Sequence, residues 1–269
     1  MAAPNPASLK ADRALLLDTV TAASELAHDL FKRGVKSWKK EDQTPLTEAD
    51  IAVDTLLRER LCAARPEYGW LSEETKDDSC RMDCTRVWIV DPIDGTKGFV
   101  KGNDQWCISA ALVERGKPLL GVIVNPCTAE TFVATSGGGA FRNDIKLQSN
   151  QREDVNGCTL VMHHSIVKSK RWAKPWPKIN LSMWNSMALR LCRVATGEAD
   201  GAIVISGKSD WDLAAADLIV QEAGGSVTDL NGARMRYNEA ETVHRGIVGA
   251  DRKFHRQLLT HTKGWKPRD

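Results

Sequence analysis

The 269-residue chain contains no long apolar run and almost no excess of charge. No stretch approaches the ~20 apolar residues of a membrane-spanning helix, and the segment Met1 to Ala11 lacks the charged-then-apolar pattern of a signal peptide. A formal net charge of +2 is not typical of proteins that bind nucleic-acid polymers, which usually carry a concentrated basic stripe. We therefore expect a cytoplasmic protein without a membrane anchor or a nucleic-acid partner.

Cysteine patterns that hold a disulfide framework or a zinc ion are also missing. The seven cysteines are odd in number, and none stands in a C-x-x-C pair. Cys80 and Cys84 are four residues apart, but no further ligand completes a metal set. Free thiols of this kind are typical of a reducing compartment.

The chain does contain hydrophobic periodicity of two kinds. Apolar residues recur at helical spacing over Asp12–Phe31, which predicts an amphipathic helix, and a second helix is predicted after Thr47. Four strands follow, with a hairpin turn at 114–118 between the middle pair: 87–90, 107–113, 119–125 and 131–134. Residues 1–150 are therefore predicted to form a half in which helices precede antiparallel strands.

The order of elements changes in the half formed by residues 151–269. Strands are predicted at 159–162, 202–205, 226–228 and 247–249, and helices at 183–196, at 213–223 and from Arg252 onward. Strands that alternate with helices are typical of α/β structure. The chain is therefore predicted to be an α/β (α+β) protein built from two halves.

The most informative motif follows the strand at 87–90. Asp91 and Asp94 stand three residues apart in Asp-Pro-Ile-Asp-Gly-Thr, where the proline and the glycine indicate a tight turn. Carboxylate and carbonyl oxygens are the ligands that Mg²⁺ prefers, so such a turn could hold a metal ion together with the carbonyl of Ile93. A helix that begins near Thr96 would add amides suited to a phosphate. The same sequence also forms a good β-turn, so the motif alone leaves both interpretations open.

Four motifs resemble, in the same order along the chain, those of the inositol monophosphatase superfamily. They are Thr-Pro-Leu-Thr-Glu-Ala-Asp at 44–50, Ser-Glu-Glu at 72–74, Asp-Pro-Ile-Asp-Gly-Thr at 91–96 and Trp-Asp-Leu-Ala-Ala at 211–215. A later Gln-Glu-Ala-Gly-Gly at 221–225 extends the match over most of the chain. The resemblance implies a five-layer αβαβα sandwich and a Mg²⁺-dependent, lithium-inhibited phosphatase, with the metal site where the two halves meet.

The resemblance assigns the metal to five residues, most of them in the first half. One Mg²⁺ ion would be held by Glu73, Asp91 and the carbonyl of Ile93, and another by Asp91, Asp94 and Asp212; the family binds two or three ions. Without cations, four carboxylates in one small volume would be costly to bury, which is a physical reason to expect the metal. On local evidence, Glu73 could be an ordinary solvated carboxylate and Asp212 the N-cap of a helix.

The resemblance implies a reaction in which no side chain becomes phosphorylated. Asp50 and Thr96 would orient and deprotonate the attacking water beside Glu73, while the amides of Gly95 and Thr96 hold the phosphate. Asp50 also has a simpler interpretation. It follows Thr47 by three residues and could be only the acidic partner of a helix capping box.

Two departures from the inositol phosphatases favour a nucleotide substrate. The motif continues as Gly-Thr-Lys-Gly-Phe, which resembles the 3′(2′),5′-bisphosphate nucleotidases, and Ile205 stands where inositol phosphatases carry a glutamate for the inositol hydroxyls. The segments at 69–74, 77–78 and 86–88 look most like bacterial CysQ-type members. The predicted reaction is hydrolysis of the 3′-phosphate of adenosine 3′,5′-bisphosphate. Candidate substrate contacts are Lys97, His164, Ser165 and Lys208.

Other functions on the same fold stay open at this point. The alternative substrates are inositol 1-phosphate, fructose 1,6-bisphosphate and histidinol phosphate, and some superfamily members are regulators bound to the transcription apparatus. The complete acidic set argues against regulation as the sole role. We expect a small phosphorylated substrate and either a monomer or a homodimer.

Overall fold

Two β-sheets alternate with three layers of helices in this protein. The structure, a computed structural model, describes residues 6–40 and 44–265. From one face to the other, the layers are two helices, a seven-stranded sheet, two helices, a five-stranded sheet and a last helix. The five-layer αβαβα sandwich predicted from the sequence is confirmed.

The first layer contains the two longest helices. They are α1 (Pro6–Arg33) and α2 (Glu48–Ala64), and a short antiparallel ribbon of β1 (Ser37–Lys39) and β2 (Pro45–Thr47) precedes α2. The helix predicted over Asp12–Phe31 is confirmed and extends beyond both predicted ends. Within the described residues, no helix combines the length and the apolarity needed to cross a membrane.

The seven-stranded sheet has its strands in chain order. Only the first pair, β3 and β4, is parallel, and the other pairs are antiparallel. The strands are β3 (Gly69–Ser72), β4 (Arg86–Asp94), β5 (Cys107–Glu114), β6 (Lys117–Asn125), β7 (Glu130–Thr135), β8 (Gly139–Arg142) and β9 (Ile145–Lys146), with the short helix α3 (Thr96–Val100) after β4. The predicted hairpin turn is confirmed: Arg115 and Gly116, with φ of 49° and 80°, form the tight loop between β5 and β6.

Alternation along β4 explains how this sheet is covered on both faces. Trp88 and Val90 pack in one cluster with α1 and α2, whereas Val87 and Ile89 pack in another with the middle helices. Successive side chains of a strand point to opposite faces, so a strand with two buried faces must be apolar at every position. This is why the sequence of β4 shows a continuous apolar run.

The second half supplies the remaining layers. The middle helices are α5 (Met187–Ala195) and α6 (Asp210–Glu222), and the last is α7 (Arg252–Thr262). The five-stranded sheet has the order β11-β10-β12-β14-β13. Its strands are β10 (Thr159–Val161), β11 (Asn180–Ser182), β12 (Gly201–Ser209), β13 (Gly225–Thr228) and β14 (Val243–Asp251); the single-turn helix α4 (His164–Val167) follows β10.

Helix α6 lies between the two sheets and is therefore apolar around most of its circumference. Its packing against β6 depends on Gly121, because a Cβ atom at this position would lie 2.7 Å from the carbonyl oxygen of Ala215. The close approach fixes the height of α6 above the sheet. It also fixes the position of the residues at the N-terminal end of α6.

Several predicted boundaries were wrong, each for a local reason. The helix predicted from 183 begins at Met187, because Ser186 caps it and the preceding 180–182 pair as a strand. The strand predicted to stop at Val90 continues to Asp94. Most of the short strands at sheet edges were not predicted, since two to four residues carry little periodicity. The division of the chain at residue 150 stays a prediction.

Candidate metal centre

Three carboxylates from both halves of the chain meet at one point. One oxygen from each of Asp91, Asp94 and Asp212 lies within 4.8 Å of the other two, and the three could hold a metal ion. Asp91 and Asp94 are buried, and Asp212 is partly buried. Asp91 and Asp94 come from the end of β4, and Asp212 comes from the first turn of α6.

The end of β4 is irregular, which brings its two carboxylates together. The pairing of β4 with β5 shifts register between Asp91 and Asp94, and such an irregularity re-aims side chains that would otherwise alternate. The amide of Ile93 donates to Asp91 Oδ1 at 3.0 Å. Gly95 then has φ of 99°, and a Cβ there would lie 2.6 Å from the carbonyl oxygen of Gln105. Only glycine fits this position.

Asp94 joins the two halves of the chain. Its Oδ1 accepts from the amide of Met187 at 3.0 Å, and its Oδ2 accepts from the amide of Ala188 at 2.5 Å and from Ser186 Oγ at 2.6 Å. These donors form the N-terminal turn of α5, where unpaired amides favour a negative charge. The sequence analysis did not find this role, because the partners are about ninety residues away in the chain.

Helices α2 and α6 both begin with a capping box. The amide of Thr47 donates to Asp50 Oδ2 at 2.7 Å at the start of α2, and the amide of Ser209 donates to Asp212 Oδ2 at 2.8 Å at the start of α6. Asp50 is therefore the partner in a capping box, as one interpretation of the sequence had it. Asp212 is not the N-cap of α6, because Ser209 occupies that position.

Thr96 connects Asp50 to the end of β4. The Thr96 hydroxyl lies 3.0 Å from the carbonyl oxygen of Ile93 and 3.4 Å from Asp50 Oδ1. Burial raises the pKa of Asp50 to about 6, against the lowering effect of its bonds to Thr47. The capping role of Asp50 and its contact with Thr96 therefore coexist, since each uses a different carboxylate oxygen.

A lysine that was not predicted from the sequence pairs with two more carboxylates and balances one of their two charges. Lys40 Nζ lies 2.7 Å from Glu73 Oε1 and 2.6 Å from Glu74 Oε1. Burial raises the pKa of Glu73, and Lys40 opposes that effect. No local signal in the sequence predicts this contact, because Lys40 is more than thirty residues from either glutamate.

The cluster carries more negative charge than its surroundings balance. Burial, with the neighbouring Glu73, Asp94 and Asp212, holds the pKa of Asp91 well above its usual range. Burial and Asp212 also raise the pKa of Asp94, although Lys208 and the helix donors oppose this. Protons are thus favoured on these groups when no cation is present. A divalent cation would take the place of those protons, so the donor set fits a metal ion.

The carboxylates lie on the wall of an open cavity of about 530 Å³. Lys97 and Lys208 also line it, and Lys208 Nζ lies 3.0 Å from Asp212 Oδ1. Of the histidine loop, His163 lines the cavity. His164 and Ser165, which were predicted as contacts, belong to α4, and the lining includes neither of them.

Arg190 is a further cation on this wall that sequence reasoning missed. Its Nε donates to the carbonyl oxygen of Trp184 at 2.8 Å. Its terminal amino groups make no hydrogen bond with any part of the chain that the structure describes. No local signal in the sequence identified Arg190, because the helix was predicted to begin at 183 and the contact of its actual start with Asp94 joins distant parts of the chain.

Comparison with known proteins agrees with the fold and shows the family. The model of the inositol monophosphatase family matches residues 9–264. A 3′(2′),5′-bisphosphate nucleotidase CysQ from Aggregatibacter actinomycetemcomitans is 31% identical over 245 residues, which cover 85% of this chain and 89% of the relative. A histidinol-phosphatase from Mycobacterium tuberculosis is 34% identical over 235 residues, covering 82% and 85%. The crystal structure of extragenic suppressor protein suhB from Bartonella henselae superposes with a TM-score of 0.80 at 26% identity, covering 93% and 97%.

The fold and the acidic site together define a phosphoric monoester hydrolase. The chain belongs to the inositol monophosphatase family. Its similar relatives carry the names of different enzymes at about the same identity, so family membership leaves the substrate open.

Proposed function

We propose that this protein is a Mg²⁺-dependent phosphatase that hydrolyses the 3′-phosphate of adenosine 3′,5′-bisphosphate to give AMP and phosphate. The observation that carries the choice of substrate is a second set of cations in the cavity, Lys97 and Arg190, in addition to the lysine paired with Asp212. A substrate with two phosphates needs such a set, since only one phosphate lies at the metal.

The residues that would hold the metal are those that the sequence resemblance names. One Mg²⁺ ion would be held by Glu73, Asp91 and the carbonyl of Ile93, and another by Asp91, Asp94 and Asp212; two or three ions are expected from the family. When bound, the ions would supply a lowered pKa for the attacking water and neutralise charge on the phosphate. Lithium inhibition is expected from the family.

Asp50 and Thr96 would manage the proton of the attacking water. The Thr96 hydroxyl lies within reach of both Asp50 and the Ile93 carbonyl, so it can pass a proton toward the carboxylate while it accepts a bond from the water. Asp50, with a pKa of about 6, is a suitable proton acceptor near neutral pH. The amides of Gly95 and Thr96, at the start of α3, would hold the phosphate.

Arg190 would contact the second phosphate. Its Nε bond to the Trp184 carbonyl orients the guanidinium, and the terminal amino groups are left for a planar, two-point contact with phosphate oxygens. Ile205, which stands where inositol phosphatases carry a glutamate, packs in the apolar cluster with α7 and does not line the cavity, so no carboxylate from this position faces the substrate. Two relatives whose names include this nucleotidase activity are 30% and 31% identical to this chain.

The first test is Mg²⁺-dependent phosphate release from adenosine 3′,5′-bisphosphate, inositol 1-phosphate, fructose 1,6-bisphosphate and histidinol phosphate in parallel. We expect kcat/KM for the nucleotide to exceed those for the two monophosphates, inositol 1-phosphate and histidinol phosphate, by tenfold or more, because an added charged hydrogen bond is worth about 1.5–3 kcal/mol. Fructose 1,6-bisphosphate also has two phosphates, so its rate tests whether the cavity prefers the nucleotide itself. Asp91→Asn should abolish release from every substrate. Equal rates on all four would make this a broad phosphatase, and a dominant rate on another substrate would replace the nucleotide.

A second test separates the two phosphates of the nucleotide. Arg190→Met should lower kcat/KM for adenosine 3′,5′-bisphosphate about tenfold or more, and it should leave adenosine 3′-phosphate nearly unaffected. Lys101→Met is the matched control, since Lys101 is an exposed cation that follows α3 and does not line the cavity. Equal losses on both nucleotides would mean that Arg190 supports the fold or the metal instead.

A further inference from the structure

A second cavity, of about 400 Å³, lies beside the C-terminal half of α6, whereas Asp212 lies in the first turn of this helix. It is bounded by the C-terminal half of α6, β13, the first turns of α7 and the hairpin turn before β6. Its size is within the range of small-molecule sites. It shares no lining residue with the cavity at the metal centre. We call it the basic cavity.

Positive charge is concentrated in the basic cavity. Five cationic side chains line it, namely Lys117, Arg234, Arg236, Arg252 and Arg256, against the two carboxylates of Asp217 and Glu222. The local excess of three positive charges is larger than the formal net charge of +2 on the whole chain. Cations gathered in a concave site repel one another and attract an anion.

The two carboxylates already serve the fold. Asp217 accepts from Tyr237 Oη at 2.8 Å and from Gln221 Nε2 at 2.7 Å, and it is buried. Glu222 accepts from the amides of Gly137 and Gly139, each at 2.8 Å. Neither carboxylate makes an ion pair with the five cations within the described residues, and Glu239 outside the lining pairs with Arg236, so most of the positive charge is left without a paired carboxylate.

Most of the cations keep donors for a ligand. Arg236 pairs with Glu239 at 2.9 Å, and Arg252 Nε lies 3.4 Å from the carbonyl oxygen of Gly225. Between residues 44 and 265 and in 6–40, the side chains of Lys117, Arg234 and Arg256 find no hydrogen-bond or ion-pair partner. Two guanidinium groups that face one cavity offer paired donors, which suit phosphate oxygens.

The cavity also has an apolar wall. Pro118, Leu218, Val227 and Met235 line it beside the cations. A bare inorganic anion would use the charges alone, whereas an organic anion would also cover this wall.

We propose that the basic cavity binds a small organic phosphate with at least two negative charges, independently of the metal centre. Phosphate oxygens contact Arg234, Arg256 and Lys117, and the organic part covers Pro118 and Met235. The site shares α6 with the metal centre but none of its ligands.

Calorimetric titration of the full chain with ADP, with and without Mg²⁺, tests this proposal. ADP should bind the wild type and Asp91→Asn with similar affinity, because the metal centre is not involved. Arg234→Gln/Arg256→Gln should weaken binding about tenfold or more through the loss of charge-assisted bonds. Arg33→Gln/Arg58→Gln, which removes two exposed arginines elsewhere, is the charge-matched control. Inorganic phosphate should bind more weakly than ADP.

Each other outcome would overturn the proposal. ADP binding that is lost in Asp91→Asn and kept in Arg234→Gln/Arg256→Gln would place ADP at the metal centre. An equal loss in the control pair would mean unspecific attraction by net charge. Adenosine that binds as well as ADP would remove the role of the phosphates, and no binding of ADP at millimolar concentration would remove the site. Lys117→Gln, at an exposed turn, is a milder variant that repeats the test if the double variant does not fold.

Discussion

Ser186→Ala would test whether the start of α5 holds a metal ligand in place. The Ser186 hydroxyl donates to Asp94 Oδ2 at 2.6 Å and accepts from the amide of Leu189 at 2.9 Å. The substitution removes an N-cap, worth about 1 kcal/mol, and a hydrogen bond to a charged group, worth about 1.5–3 kcal/mol. We therefore expect the free energy of unfolding to fall by about 2–4 kcal/mol.

Metal binding should weaken as well, although Asp94 itself is unchanged. Partners of a ligand typically contribute about 10–100-fold to metal affinity. The amides of Met187 and Ala188 still hold Asp94 in the variant, so we expect the Mg²⁺ affinity to fall about tenfold, which is near the lower end of this range. The assay is phosphate release as a function of Mg²⁺ concentration. The half-saturating concentration should rise while the rate at saturation changes little.

Asp251→Ala provides the control for the loss of a cap. Asp251 is the last residue of β14, and it caps α7 by accepting a hydrogen bond from the amide of Lys253 at 2.9 Å. It should lower stability by about 1 kcal/mol and leave the Mg²⁺ dependence unchanged. If Ser186→Ala and Asp251→Ala show the same half-saturating concentration, the argument that α5 positions Asp94 is refuted.

Three further substitutions test other parts of the structure by urea unfolding. Gly95→Ala should lower the free energy of unfolding by at least about 2 kcal/mol and remove most of the activity, because the positive φ and the close carbonyl oxygen of Gln105 both oppose a Cβ atom. Arg193→Met should lower the free energy of unfolding by about 3 kcal/mol, the lower end for a broken buried ion pair, because Glu130 loses its partner at 2.6 Å and keeps Arg142 at 3.2 Å. Burial raises the pKa of Asp217 from 3.8 to about 6, so its proton stabilises the folded state at low pH and this stability is lost as pH rises through 6. The free energy of unfolding of Asp217→Asn, measured relative to the wild type, should therefore rise by up to about 3 kcal/mol as the pH increases from 4 to 7.

Each of these expectations has a result that would contradict it. Gly95→Ala with wild-type stability would mean that the turn can relax. Arg60 is an exposed and loosely paired arginine. If Arg193→Met lowers the free energy of unfolding no more than Arg60→Met does, the ion pairs of Arg193 add little to stability. A constant difference between Asp217→Asn and the wild type across this pH range would mean that Asp217 has an ordinary pKa in the folded protein.

Long periodic segments were predictable, and short or distant contacts were not. The amphipathic spacing of α1 and the apolar run of β4 record their packing directly in the sequence. The strand at 180–182 was missed because it is a three-residue edge strand, which pairs with β10 alone among the described strands. The start of α5 was misplaced for a related reason, since the cap at Ser186 is recognisable only once the strand before it is known.

The site shows the same division between local and distant information. The acidic residues stand in recognisable motifs, so their convergence could be predicted from a resemblance. Lys40 and Arg190 stand in no motif; the carboxylates paired with Lys40 are more than thirty residues away, and the acidic cluster that Arg190 faces comes from other elements. Local patterns predicted the capping box at Asp50 correctly. They could not reveal that the same carboxylate also faces Thr96.

Hydrogen bonds at the cluster distinguish the three carboxylates that meet there. A carboxylate has about four lone pairs. Asp94 uses three of them on donors of α5, and Asp212 is engaged on both oxygens by Ser209 and Lys208. Asp91 accepts one bond, from the amide of Ile93, and keeps Oδ2 for other ligands. A shared ligand of two cations needs free lone pairs on both sides, so these bonds favour Asp91 for that role. Asp94 keeps one lone pair and would hold a single metal, whereas Asp212 keeps one lone pair on each oxygen beside its bonds to Lys208 and Ser209.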